Sequence, residues 1–430
     1  MVEAAMHRSF PRGNPFGSRP DDRHTHSAPT HVTRRRLLAA GTLASVSLVG
    51  MLLGLGTGCK DSAKTEGTSG AQPSAGDTSA EIVIGHYGSL TGNTAHFGQD
   101  TDKAVRLAVD EQNAQGGLLG KKIRVVTLDD RGDSAEAANA VSRLIDVEKV
   151  NALIGEVASS LSLAGGRVAQ RRKVPMVSPS STNPKVTQVG DYIFRVCFLD
   201  PFQGKVMADF ARDTLKFDKV AVLKDVKNDY SIGLADAFVK AFTARGGQIG
   251  IEQSFSAGDT DFSAQITAIK AANVQGIYVP GYYAEVGAIA RTAQRLGLKL
   301  PLMGGDGWDA PDLFKIGGDA LDGSFFSNHF APDAATAKSQ KFVKDFTTKY
   351  GQEPTGLGAL GYDAAIVLFD AIERAGKTDP ESIRNALAET KNFEAVSGTI
   401  SINKDRDADK SAVILAIEGG KAKYRATVAP

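Results

Sequence analysis

The chain has 430 residues, with 50 basic and 49 acidic side chains for a net charge of +1, and 42% of its residues are hydrophobic. That balance lacks the basic domain or stripe that a nucleic-acid partner requires, and the length suits two domains of ordinary size. With two cysteines and seven histidines, and no HExxH or paired spacing, neither a disulfide framework nor a metal or cofactor site is expected.

The first elements in chain order concern destination. Met1 to Val32 is polar. Arg34, Arg35 and Arg36 then precede an apolar run from Leu37 to Leu55, and Gly56, Thr57 and Gly58 lead into Cys59. This positive, apolar, small-residue order is that of a secretory signal, and Thr33 to Leu38 resembles the twin-arginine signature. Cys59 resembles the lipidation site of a bacterial lipoprotein, although Gly56 stands where the usual pattern has leucine. A permanent membrane anchor is the competing reading, because the run is almost long enough to span. Its glycines, short length and small-residue exit favour a signal over residues 1–58. Residues 59–80 hold no aromatic side chain and are rich in Ser, Thr, Gly and Ala, which predicts a disordered tether. Residues 1–58 hold seven of the 50 basic and three of the 49 acidic residues, so the remainder carries 43 against 46. Cys197, in an alternating apolar stretch, reads as a small buried hydrophobe.

From Ile82 onward short β-like runs alternate with helical patterns. Ile82–Gly85, Ile123–Asp129, Ala152–Ile154 and Pro175–Ser178 read as strands. Thr101–Gln115, Ala135–Val147 and Ser160–Arg172 read as helices. The pattern restarts near Asp200-Pro201 with helices Phe202–Leu215, Ile232–Arg245, Phe262–Ala272 and Val286–Leu296. Between them lie strands Val220–Lys224, Gly250–Phe255, Gly276–Pro280 and Leu300–Gly304. This predicts an α/β protein of two doubly wound parallel-sheet lobes with a ligand cleft between them. The tail, with helices Ala337–Tyr350 and Tyr362–Ala375 and strands Gly398–Asn403 and Ala412–Glu418, returns to complete each lobe. The expected division is 81–200 plus 330–396 for one lobe and 201–329 plus 397–430 for the other.

Open α/β sheets bind ligands beyond the carboxyl ends of their strands. Polar, glycine-rich segments follow several predicted strands: 88–92, 155–160, 178–184, 281–283 and 304–308. Ser159 and Ser160 stand where a strand meets a helix. They read either as a helix cap or as donors that help free helix amides hold an anion. Ser180, Ser181 and Thr182 add hydroxyls suited to a carboxylate, sulfate or phosphate. Asp306, an acid among glycines, reads as a turn aspartate or as the partner of an ammonium group. Tyr230, Tyr282, Tyr283 and Trp308 are candidate apolar walls. Together these groups describe an α-amino acid with an apolar side chain.

At these residues the chain resembles the solute-binding proteins of branched-chain amino-acid ABC importers, the type I periplasmic binding protein family, over nearly all of Ile82 to Ile417. The segments that carry the resemblance are Ile84-Gly85 through Ser89-Leu90-Thr91-Gly92, Phe97-Gly98, Glu111-Gln112-Asn113 with Gly116-Gly117, Asp129-Asp130, Ala257 to Ser263, and Gly304-Gly305-Asp306-Gly307. The resemblance implies a ligand carboxylate held by Ser159 and the loop of Ser180 and Thr182. It implies an ammonium at that loop and at Asp306, and side-chain walls from Phe97, Tyr230 and Tyr282. It also implies an ABC permease and ATPase as partners. Leucine-binding members have alanines at Ser180 and Ser181, glutamate at Asp306 and a disulfide whose cysteine positions are Gly132 and Ala158 here. These departures, with Glu156 nearby, leave amide, urea-like and aromatic-acid ligands, and a sensory role, as alternatives.

An enzyme is not expected. The first strand leads into Gly85-His86-Tyr87-Gly88-Ser89, which lacks GxGxxG, and no GxxxxGK[ST] phosphate loop exists. Gly88-Ser89-Leu90-Thr91-Gly92 misplaces the serine for a nucleophile elbow.

Overall fold

The computed structural model describes residues 81–332 and 336–430; the predicted signal 1–58, tether 59–80 and Cys59 lie outside them. The first run is β1 (Glu81–Gly88), α1 (Ala95–Ala114), β2 (Lys122–Asp129), α2 (Ser134–Asp146), β3 (Ala152–Ile154), α3 (Ser159–Arg172), β4 (Met176–Ser178), α4 (Lys185–Gln188) and β5 (Ile193–Arg195). The second is α5 (Asp200–Asp213), β6 (Lys219–Asp225), α6 (Asp229–Ala244), β7 (Gln248–Phe255), α7 (Ser263–Ala271), β8 (Gly276–Tyr278), α8 (Tyr283–Arg295), β9 (Leu302–Gly304), α9 (Pro311–Gly317) and β10 (Phe325–Asn328). The tail adds α10 (Ala337–Tyr350), α11 (Gly356–Ala375), α12 (Pro380–Ala388), β11 (Phe393–Ala395), β12 (Gly398–Ile402), β13 (Ala408–Asp409), β14 (Ala412–Glu418) and β15 (Lys421–Val428).

The first sheet has the order β2-β1-β3-β4-β5 and is parallel throughout. Side chains of a strand alternate between faces, and both faces of this sheet are apolar. Ile82, Ile84, Val177 and Phe194 enter a core with Leu360, Leu368 and Ile372 of α11. Leu153, Met176 and Ile193 enter a second core with Val141 and Leu144 of α2. A sheet apolar on both faces requires helices on both, which is the doubly wound layering. The second sheet repeats it: Ala221, Leu223 and Ile277 face one core, while Val220, Val222 and Tyr278 face another.

The second sheet, ordered β15-β14-β10-β9-β8-β6-β7, is not wholly parallel, because β14 runs antiparallel to both β10 and β15. A further correction concerns the tail. Ile400, Ile402 and Ala408 of β12 and β13 pack in the first sheet's core, so the chain joins the second lobe at β14 and not at 397. Helix α11 also begins six residues before the predicted Tyr362. Its first turn, Gly356-Leu357-Gly358, reads as loop by propensity. Thr355 accepts a hydrogen bond from the Gly358 amide as an N-cap, and a Cβ at Gly358 would lie 2.4 Å from Asp100 Oδ2, so glycine is what lets the helix approach α1. Among the described residues no helix is long and apolar enough to cross a membrane. Cys197 is free and fully buried, its thiol pushed up to about 12 chiefly by burial.

Candidate functional site

The loops after β3, β4, β8 and β9 converge between the two sheets. On the first side, α3 starts without a side-chain cap, its N-cap being Ala158. Ser159 and Ser160 therefore lie in the first helical turn and do not cap it, so amides at the positive end of α3 keep their capacity to bind an anion. Ser159 Oγ accepts from the Asn183 amide at 3.3 Å. The buried Ser180 hydroxyl has no hydrogen-bond partner among the described residues and lines the cavity between the lobes. Thr182 accepts the Asp200 amide at its carbonyl, at 3.0 Å. Burial drives the Asp200 carboxyl up to about 8, with the Thr182 hydroxyl opposing it.

Three first-side candidates turn elsewhere. Ser160 Oγ lies 3.1 Å from Asp229 Oδ2 and accepts the Asp229 amide at 3.0 Å, bridging to the start of α6. Ser181 Oγ lies 2.7 Å from Ser162 Oγ and 3.0 Å from the carbonyls of Glu156 and Val157, so it braces the loop from within. Glu156 Oε1 accepts from the Ser89 amide at 3.1 Å, and Oε2 accepts from the Ala158 amide. Burial, reinforced by Asp130, holds its carboxyl well above the usual range. It does not line the cavity.

On the second side, Asp306 opens a short 3-10 turn, Asp306–Trp308, directly after β9. Its Oδ1 accepts from Tyr230 OH at 2.9 Å. Its Oδ2 lies 3.0 Å from His329 Nε2, and its amide donates to Gln203 Oε1 at 2.9 Å. A Cβ at Gly305 would fall 2.6 Å from Tyr230 OH and 2.7 Å from Gln203 Oε1, so this glycine admits both groups that hold the acid. Burial raises the Tyr230 hydroxyl far above its ordinary value, and the Asp306 charge adds to the shift. Tyr230 thus remains a neutral donor. The turn is more than the common Gly-Asp-Gly bend, because the acid is buried and held by side chains from three elements.

The aromatic wall assembles largely as expected. Tyr230 and Tyr282 stack with centroids 5.3 Å apart, and Phe97 meets Tyr282 edge-on at 5.4 Å across the cleft. Trp308 is the exception. It is fully buried in the second lobe's core, donates to the Val279 carbonyl at 3.0 Å and packs on Phe326. Lying next to Asp306 in sequence does not bring its ring into the cavity.

Phe97, Val157, Ser180 and Leu357 from one lobe and Tyr230, Tyr282, Asp306 and Gly307 from the other enclose a space of about 10 Å³, room for about one water. A ligand of amino-acid size therefore enters only as the walls part. A far larger groove of about 830 Å³, with Lys205, Ala237, Lys240 and Arg245 along it, reaches the buried Asn183 and Asp200 but has no aromatic side chain along it. Gln203, His329, Val157 and Leu357 were not singled out in the sequence. His329 follows β10, whose four residues carry no strand signal, so the sequence does not mark its loop as a post-strand segment. Gln203 sits inside a helix, where one polar residue on a buried face carries no local signature. Among the described residues no group of three or more His, Cys, Asp or Glu side chains is placed to hold a metal ion.

The periplasmic binding protein family model matches residues 81–422. The chain is similar to Leu/Ile/Val-binding protein homolog 3 of Brucella melitensis, 33% identical over 76% of this chain and 89% of the relative. The crystal structure of the leucine-binding protein LivK of Thermotoga maritima superposes with a TM-score of 0.78 at 44% identity, covering 81% of this chain and 99% of that one. The branched-chain amino-acid substrate-binding protein LivJ of Streptococcus pneumoniae, solved with isoleucine, gives 0.78 at 34% identity over 81% and 100%. With the matched residues spanning both lobes and the cleft between them, the chain belongs to the periplasmic binding protein family.

Proposed function

We propose that this protein is the extracytoplasmic solute-binding component of an ABC importer and that it captures an apolar, branched-chain amino acid. One observation carries the reading: Asp306 and the unpartnered Ser180 hydroxyl line one buried aromatic space, and α3 starts uncapped two residues after Val157 of its lining. An acid held by neutral donors lacks a cation, and a buried anion is costly until one arrives. The opposite pole offers hydroxyls and a positive helix end to a carboxylate. The ligand that satisfies both ends is a zwitterion, and the rings between favour an apolar side chain. The names of its relatives support the same ligand class and a permease with its ATPase as partners.

Contacts to both lobes exist only when the cleft is closed, so ligand should shift the population towards closure. At 100 times the dissociation constant the gain is about 2.7 kcal/mol of stability. A melting-shift panel of amino acids, amides and aromatic acids, with mass spectrometry of whatever ligand denaturation releases, tests the reading. A response to aromatic acids or amides alone would overturn it. We further propose export by the N-terminal signal and anchoring through a lipid on Cys59. On that reading Cys59→Ser releases the protein from membranes to the soluble fraction, and an unchanged partition excludes the anchor.

A further inference from the structure

The Asp306 side chain has a second buried partner whose chemistry goes beyond holding it in place. His329 has no solvent-exposed side-chain surface, stacks on Phe198 with centroids 3.7 Å apart and directs Nε2 at Asp306 Oδ2. A carboxylate has no proton to give, so in the neutral ring Nε2 carries the hydrogen and Nδ1 is the bare nitrogen. Nδ1 has no partner among the described residues. The imidazole is therefore locked at one end and open at the other.

We propose that His329 is a positioning residue that sets the charge of the ligand the cleft accepts: as imidazole it holds Asp306 for an ammonium group, and as imidazolium it takes that group's place. The proposal rests on the reading of Asp306 as the ammonium end. Two cations beside one buried carboxylate repel each other in a medium that screens weakly. A bound ammonium therefore keeps His329 neutral, and by reciprocity a protonated His329 weakens the ammonium ligand. A plain carboxylic acid carries no ammonium and escapes this penalty. The surrounding charges are few. Asp306 raises the imidazole's proton affinity, while burial and Lys410 lower it, and burial is the largest influence, so the ring is held below its ordinary value. Asp200, driven up to about 8, and Asp309, driven up to about 6, also lie within the field of Asp306. Asp309 accepts from Asn328, the neighbour of His329 in the chain, so it is the group whose titration must be told apart from that of the ring.

The test is calorimetric binding of leucine and of its deaminated counterpart, 4-methylpentanoate, to the wild-type protein and to His329→Gln between about pH 7.5 and about pH 4.5, a window that reaches well below the ordinary imidazole value. The Gln amide keeps a neutral donor for Asp306 and cannot take up a proton. Leucine affinity of the wild type should fall on acidification, by up to tenfold per pH unit once the free protein's ring titrates. Affinity for 4-methylpentanoate, corrected for its own protonation, should not fall. His329→Gln, whatever its affinity for leucine near neutrality, should lose most of the slope. Equal slopes in the two proteins would assign the effect to Asp309 and overturn the proposal, as would a flat wild-type profile. If the wild type shows no preference for leucine over 4-methylpentanoate near neutrality, the ammonium reading of Asp306 fails first and takes the proposal with it. Imidazole NMR of the wild type gives a measurement without a variant: saturating leucine should lower the pH at which His329 titrates, and an unmoved titration is a negative result.

Discussion

Two buried acids near the cleft, Asp306 and Glu156, are held in opposite ways. Asp306 accepts from a phenol and an imidazole and borders the cavity. Glu156 is enclosed by the Ser89 and Ala158 amides. It also shares the Ser89 hydroxyl with Asp130, at 3.3 Å and 2.9 Å respectively. Among the described residues no cation stands beside Glu156, and burial with a like charge favours its protonated form. A buried carboxyl is thus a ligand group or a structural one according to its neighbours and to whether it borders open space.

Several experiments break or sharpen that contrast. The largest effect is expected at Trp308, which backs the Asp306 turn. Trp308→Ala removes a fully buried ring and its bond to Val279 and should cost about 3–5 kcal/mol of stability in chemical denaturation. A loss below about 1 kcal/mol would mean that the wall does not depend on this core. Next comes Asp306→Asn, which keeps the shape and removes the charge. Affinity for a branched-chain amino acid should drop by about 1.5–3 kcal/mol, and the preference over the deaminated acid should largely vanish. An unchanged preference by calorimetry would reduce Asp306 to a turn residue.

The third experiment addresses the other acid through pH. Asp130 is raised to about 6 and Glu156 well above its ordinary value, both first by burial. A carboxyl that holds its proton more tightly when folded contributes stability below its unfolded value, about pH 4. That contribution is lost as pH rises through the folded value. Wild-type stability should therefore decline as pH climbs through about 6, while Glu156→Gln, which keeps a neutral group, should decline less, by on the order of 1 kcal/mol. Parallel stability curves would show that Glu156 is charged in the fold. The smallest effect is at Ser180. Its hydroxyl has no partner among the described residues, so Ser180→Ala should leave stability within about 0.5 kcal/mol while weakening ligand by about 1 kcal/mol. A loss of stability without a loss of affinity would move Ser180 to the structural side, beside Ser181.

Much of this architecture is legible in the chain because it depends on local periodicity. The alternation of β3, α3, β4 and, after Asp200, α5, β6, α6 is written in apolar runs and helical spacing. Five polar loops, four of them with glycine, stand out as breaks in it. The start of helix α11 is not legible, because Gly356 and Gly358 disfavour a helix locally and only their packing against α1 makes one there. Strand β10 is not legible because Phe325 to Asn328 is too short to show a period. Without β10 the loop carrying His329 had no place in the site.

The sequence by itself determined the class of the protein: two α/β lobes, a cleft lined by hydroxyls, an acid and aromatic rings, and the family that these segments resemble. Side-chain direction was decided only by the tertiary structure. Ser159, Ser160, Ser180 and Ser181 look alike along the chain. Yet one accepts a loop amide, one bridges the lobes, one borders the cavity and one braces a turn. Asp306 and Trp308 are two residues apart, and the 3-10 turn sends the acid to the cavity and the indole into the core. The physical reason is that periodicity records which residues avoid water, whereas the partner of a buried polar group is set by what the fold brings within about 3 Å of it.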